Sequence, residues 1–123
     1  MEVLIDTNFV ISCILKRIEF LEELAGMGFK VVVPREVILE LKDLKTTTRS
    51  SGEDKTAISV ALEILESKKV KKKQLGGTNV DEALIKKGKE GIYIATLDKG
   101  ILRQIPNRII IDAARKKLII DRE

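Results

Sequence analysis

Four acids stand where chemistry could use them, in a chain of 123 residues that contains no histidine. Asp6 ends the apolar run Val3-Leu4-Ile5, and Asp98 ends Ile94-Ala95-Thr96-Leu97. Glu40 interrupts a helical pattern three residues after Val37, and Asp81 opens one that continues with Ala83 and Leu84. Without histidine, the usual side chain for proton transfer near neutral pH is missing. Carboxylates, lysines, hydroxyls, Cys13 or a bound metal must then carry any reaction. Several carboxylates meeting without arginine partners repel one another, and their natural counter-charge is a hard cation. Oxygen-only donors select Mg2+ or Mn2+ over zinc. Such a cation can activate water and polarise a phosphoryl oxygen, which makes a histidine base dispensable.

Taken singly, each acid has a plainer explanation. An acid in a first helical turn, as at Asp81, favours the helix dipole. Glu40 can be a solvated residue bordering an apolar face. Asp6 is harder to explain away, because an ionised group at a buried strand end needs a partner or a metal. A phosphoryl-transfer or receiver-like reading with Asp6 as nucleophile would need a second Asp or a placed Lys close behind the first strand. Asp6-Thr7-Asn8 supplies neither.

The elements that would position these acids are legible. Val3 to Ile5 reads as a buried strand, followed by a helix that breaks near Ile18 and stops at Gly26 and Gly28. Val31 to Val33 is a second strand, and Pro34 can open the next helix, whose apolar face is Val37, Ile38, Leu41 and Leu44. Thr46 to Gly52 reads as an exposed loop. Ala57, Ile58, Ala61, Leu62 and Leu65 repeat at helical spacing. The basic stretch from Lys68 to Lys73 suggests a weak edge strand, Gly76-Gly77 a turn, and Thr78 with Asp81 a capping arrangement. Ile92 to Leu97 is a strand, Ile101, Leu102 and Ile105 suggest a helix, and Ile109 to Ile111 and Leu118 to Ile120 are further strands. This alternation predicts an α/β fold: one three-layer α/β/α domain over residues 1–123 with a mainly parallel central sheet. In such sheets sites form beyond the carboxyl ends of the strands. Asp6 and Asp98 would share a crevice if their strands are neighbours.

Composition bounds the rest. The chain is 44% hydrophobic but only 3% aromatic, and this aliphatic bias suits strands buried under helices. The lone Cys13 excludes an internal disulfide and reads as a core residue, which is compatible with a reducing, cytoplasmic setting. No run approaches the roughly 20 apolar residues of a membrane span. The 23 basic and 19 acidic residues leave a net charge of +4, too mild a surplus to prove nucleic-acid binding by itself.

The segments Leu4-Ile5-Asp6-Thr7-Asn8, Val33-Pro34-Arg35-Glu36-Val37-Ile38-Leu39-Glu40-Leu41, Asn79-Val80-Asp81-Glu82-Ala83-Leu84-Ile85 and Ile94-Ala95-Thr96-Leu97-Asp98 together resemble PIN domains, in the family's order and at similar separations. Within that family the chain is most similar to archaeal relatives of the ribosomal-RNA-processing PIN nucleases, often called VapC-type toxins. The resemblance implies a Mg2+- or Mn2+-dependent ribonuclease, acting as a toxin or in RNA processing. Its alternative is a catalytically weak PIN-fold protein that binds RNA or serves as a scaffold. Asp6, Glu40, Asp81 and Asp98 match the family's acids. Asp6 and Asp98 would be metal ligands, Asp81 (with Glu82 as alternate) a third, and Glu40 would orient or activate water. Asn8 and Thr96 match supporting polar positions. Where many relatives carry Asn or Arg before the last acid, this chain has Leu97. The resemblance further implies an RNA substrate, an antitoxin or ribosome-assembly partner, and a homodimer. Arg35, Lys45, Arg49, Lys55, Lys99 and Arg103 are candidates to gather the phosphate backbone.

Overall fold

The computed structural model describes residues 1–47, 51–67 and 70–122. Six strands form one sheet: β1 (Glu2–Ile5), β2 (Lys30–Pro34), β3 (Lys71–Lys73), β4 (Tyr93–Ala95), β5 (Asn107–Asp112) and β6 (Lys117–Arg122). Their order is β3-β2-β1-β4-β5-β6, parallel throughout except for the antiparallel β5–β6 hairpin. The chain builds outward from β1 to β3 in one direction and from β4 to β6 in the other. The switch point therefore lies between β1 and β4, where Val3, Leu4 and Ile5 pair with Tyr93, Ile94 and Ala95. A crevice at the carboxyl ends of these two strands is where such sheets hold their ligands.

The period of two along the central strands decides which helices lie on which face. Val3, Ile5, Val33, Tyr93 and Ala95 point to one side. There they pack under α1 (Thr7–Leu15), α2 (Phe20–Gly26), α3 (Arg35–Thr46) and α4 (Gly52–Leu65), through Phe9, Leu24, Leu41, Ile58 and Leu65. Leu4, Val32 and Ile94 point to the other, against α5 (Val80–Lys89) and the short α6 (Lys99–Leu102) through Leu84, Ile101 and Ile105. The expected three-layer α/β/α arrangement results. No helix among the described residues is long and apolar enough to cross a membrane.

Local details differ from the sequence expectations. The break near Ile18 is real: α1 closes with Ile18 N–H donating to Cys13 O and Arg17 N–H to Ile14 O. This is the double bond of a Schellman cap. Arg17, at φ 58, occupies the position usually given to glycine. Thr46 belongs to α3 and Gly52 to α4, so the expected loop is shorter at both ends, and residues 48–50 of it lie outside the described residues. The lysine-rich segment does hold the edge strand, at Lys71–Lys73. The cap of α5 is Asn79 and not Thr78: its Oδ1 accepts the amides of Asp81 at 2.8 Å and Glu82 at 3.3 Å. The helix expected over Ile101 to Ile105 ends at Leu102, leaving Ile105 as a buried residue beyond it.

Candidate active site

Asp6 lies at the switch point because β1 ends one residue before it. Its own N–H donates to Ala95 O at 3.0 Å, extending the β1–β4 pairing by one bond. The side chain is buried, 5% exposed, and both oxygens are engaged. Oδ1 accepts the Thr7 amide at 2.8 Å, capping α1, and Oδ2 accepts the Thr96 hydroxyl at 2.8 Å. The fully buried Thr96 hydroxyl in turn accepts the Asp98 amide at 3.1 Å. Asp98 caps α6 through Oδ1, which accepts from Gly100 at 2.8 Å and Ile101 at 3.4 Å. Both strand-end acids are thus helix caps, a local role the sequence did not reveal.

The acids share one electrostatic field. Burial pushes the Asp6 carboxyl above its usual range; the Thr96 hydroxyl and Thr7 amide oppose this, and the charges of Asp81 and Asp98 add to the push. Glu40 is also raised. Although the residue is exposed as a whole, its carboxyl is partly desolvated; the Thr7 hydroxyl beside it pulls the other way, and the charges of Asp6 and Asp81 raise it further. Among the described residues none of these four acids has a lysine or arginine in an ion pair. The Asp81 charge registers at both Asp6 and Glu40, whereas that of neighbouring Glu82 does not. Glu82 instead lines a groove with Ile85, Lys86 and Lys89 on the outer face of α5.

Could these residues hold a divalent cation? The donors are all oxygen, the charge is unneutralised, and the buried Thr7 Oγ1 has no partner in strict hydrogen-bond geometry. Among the described residues, however, no three acids stand close enough to close on one ion. Mg2+ does not need three: it keeps several waters and takes one or two carboxylates together with substrate phosphates. The donor set fits such a cation and does not fit a closed, fully protein-ligated one.

Asn8 is exposed in the first turn of α1. Among the basic candidates, Arg35 and Lys99 begin α3 and α6 and are exposed, and Arg103 follows α6. Lys45 lies in the last turn of α3, and Lys55 is half-buried in α4. None of these five is held in an ion pair among the described residues. Arg49 lies outside the described residues.

Two residues near the site escaped the sequence reading. Thr7 has no role of its own in the sequence reading; in the structure it is buried, with its hydroxyl beside Glu40. Glu36 stands in the sequence only as part of the Val33 to Leu41 segment, with no role assigned to it. In the structure its carboxylate accepts the amides of Leu75 and Gly76, 39 and 40 residues along the chain. No local signal could have revealed that partner.

The sequence matches the PIN-like domain family over residues 3–113. The solved PIN domain endonuclease Utp24 shares the fold, with a TM-score of 0.77 at 22% identity, covering 99% of this chain and 92% of that one. No curated protein sequence matches it. A family match that runs from β1 to the end of β5 takes in all four acids, and the chain therefore belongs to the PIN-like domain family.

Proposed function

We propose that the chain is a ribonuclease that hydrolyses phosphodiester bonds with Mg2+ or Mn2+ held at the switch point between β1 and β4. Membership of the PIN-like family supports a nuclease role. The observation that carries the reading is the buried Asp6 carboxylate, raised by burial and by the charges of Asp81 and Asp98 and lacking any cationic partner among the described residues. A cluster of unneutralised acids at a functional crevice is costly to the fold and calls for a counter-charge.

Asp6 forms the buried floor, and Asp81 and Asp98 offer the further oxygens that complete a water-rich cation site. When bound, the cation supplies an activated water and neutralises charge on the scissile phosphate. Thr96 fixes the orientation of Asp6 through its hydroxyl and the place of Asp98 through its oxygen. Glu40, raised above the usual carboxylate range, orients the attacking water and takes its proton. Arg35, Lys99 and Arg103, exposed beside β-strand ends or on α6, attract the phosphate backbone, so binding weakens with salt. Service as a VapC-type toxin under an antitoxin, or in RNA processing beside ribosome-assembly partners, are the two settings this activity fits.

The test is incubation of the purified protein with labelled single-stranded RNA and Mn2+, Mg2+ or EDTA, alongside Asp6→Asn and Asp98→Asn. Cleavage that requires metal and disappears in both variants supports the proposal. Cleavage surviving in both variants sinks it. Wild-type protein that binds RNA without cutting it would favour the scaffold reading instead.

A further inference from the structure

Asp81 lies in the first turn of α5, just after the segment that leads into the helix. α5 is anchored to the sheet by the buried Leu84 and Gly88, and in its first turn by the partly buried Val80, which packs against the core. Its first turn, with Asp81 exposed, leads out of the segment Gln74 to Asn79, where Gly76 and Gly77 sit in succession at φ 80 and 81. Two left-handed glycines turn the chain sharply and would leave the amides before them without a strand partner. Glu36 takes up those amides. Leu75 N–H lies 3.1 Å from both carboxylate oxygens, and Gly76 N–H donates to Oε2 at 2.8 Å. Desolvation pushes the Glu36 carboxyl up, but the amides of Glu36, Leu75 and Gly76 outweigh it and hold it below its usual range.

The geometry joins two parts of the site. Glu36 lies in the first turn of α3, and Glu40 lies one turn on along the same side. From Gly76 the chain runs through Gly77 and Thr78 to Asn79, whose side chain fixes the amides of Asp81 and Glu82. Charge-assisted bonds are about twice as strong as neutral ones, and two donors on one carboxylate also fix direction. We infer that Glu36 is a positioning residue: by holding the Leu75 and Gly76 amides it sets Asp81 opposite Glu40 and Asp6. This inference rests on the proposed carboxylate site. Glu36 itself touches neither cation nor substrate.

Glu36→Gln is the discriminating variant. It is isosteric, keeps one acceptor oxygen, and turns an amide donor against the backbone N–H groups. Wild type, Glu36→Gln and Asp6→Asn are compared in three ways: amide hydrogen exchange at Leu75 and Gly76, the Mn2+ concentration that half-saturates thermal stabilisation, and RNA cleavage. In Glu36→Gln we expect the two amides to lose protection, the Mn2+ midpoint to rise severalfold, and kcat to fall by roughly ten- to a hundredfold. KM for RNA should change by less than about twofold, because the backbone contacts are untouched. A Glu36→Asp variant, which keeps the charge on a shorter arm, should fall between the two. Amides that stay protected in Glu36→Gln overturn the inference. So does loss of protection with wild-type Mn2+ midpoint and kcat. If Asp6→Asn responds to Mn2+ like the wild type, the carboxylate-site reading fails first and takes this inference with it. If Asp6→Asn is silent to Mn2+ while Glu36→Gln is normal, the site stands and only the positioning role falls.

Discussion

The Thr96 hydroxyl donates to Asp6 Oδ2 at 2.8 Å, across 90 residues of sequence, while its oxygen accepts the amide of Asp98. One side chain therefore sets the relative position of two acids carried by neighbouring strands. Thr96→Val keeps the shape and removes both bonds. It leaves a buried carboxylate oxygen and a half-buried amide without partners, a loss of about 1–3 kcal/mol. Cleavage should fall by at least about tenfold, since the affected groups are those proposed to hold the cation. Thr96→Ser, which restores the hydroxyl, should recover most of it. Equal activity in the Val and Ser variants would show that the hydroxyl plays no part in the reaction.

Asp6 should make the metal-free fold less stable at neutral pH than at mildly acidic pH. Its folded pKa is raised, so the folded state holds the proton more tightly than the unfolded one. Stability then falls as pH rises from the ordinary carboxylate pKa through the raised folded value, and it is flat above that. Glu40 adds in the same direction, and Glu36, whose pKa is lowered, works against both. In EDTA, Asp6→Asn should melt higher than the wild type by a few degrees at neutral pH and lose most of this pH dependence. Thermal melts across the acidic range check it. A variant that melts lower at neutral pH would mean that the capping bonds of Asp6 outweigh its burial.

Gly88 is required by packing. A Cβ there would sit against Ile105 Cγ2, 2.9 Å from Ile105 Cβ and 3.2 Å from Ile94 Cγ1. Ile105 is branched and fully buried, so it cannot swing away. Gly88→Ala should cost about 1–3 kcal/mol by overpacking, in spite of the better helix propensity of alanine. Because the severest clash is with Ile105, Gly88→Ala and Ile105→Ala should be less than additive in denaturant melts.

Cys13 should behave as a core atom. It is fully buried, and burial first, then the Glu23 charge, pushes its thiol up to about 12. Iodoacetamide at pH 8 should leave it unmodified in the folded protein and label it quickly in denaturant. Rapid labelling of the native state would mean that α1 opens locally.

The strands and most helices were legible because their signals are local. Val3 to Ile5, Val31 to Val33 and Ile109 to Ile111 are aliphatic runs of strand length, and Ala57 to Leu65 keeps a helical period. The misses arise where two local signals compete or where the deciding partner is distant. Thr78 and Asn79 are both capping residues, and only the chain path after Gly77 selects Asn79. Ile105 continues the spacing of Ile101, but it fills the gap that Gly88 leaves rather than extending a helix. In the site, Asp6 and Asp98 could be placed from strand ends alone. The partners that fix the acids in place, Glu36 for Asp81 and Thr96 for Asp6, act over 39 and 90 residues, and spacing carries no trace of them.

The place of β1 in the middle of the sheet, between β2 and β4, governs the order in which the molecule can be completed during synthesis. Thr96 follows Asp6 by 90 residues, so the floor around Asp6 is finished only when Ala95 and Thr96 arrive to pair with it. A growing chain therefore carries Asp6 without its Thr96 partner until that later stretch has left the ribosome.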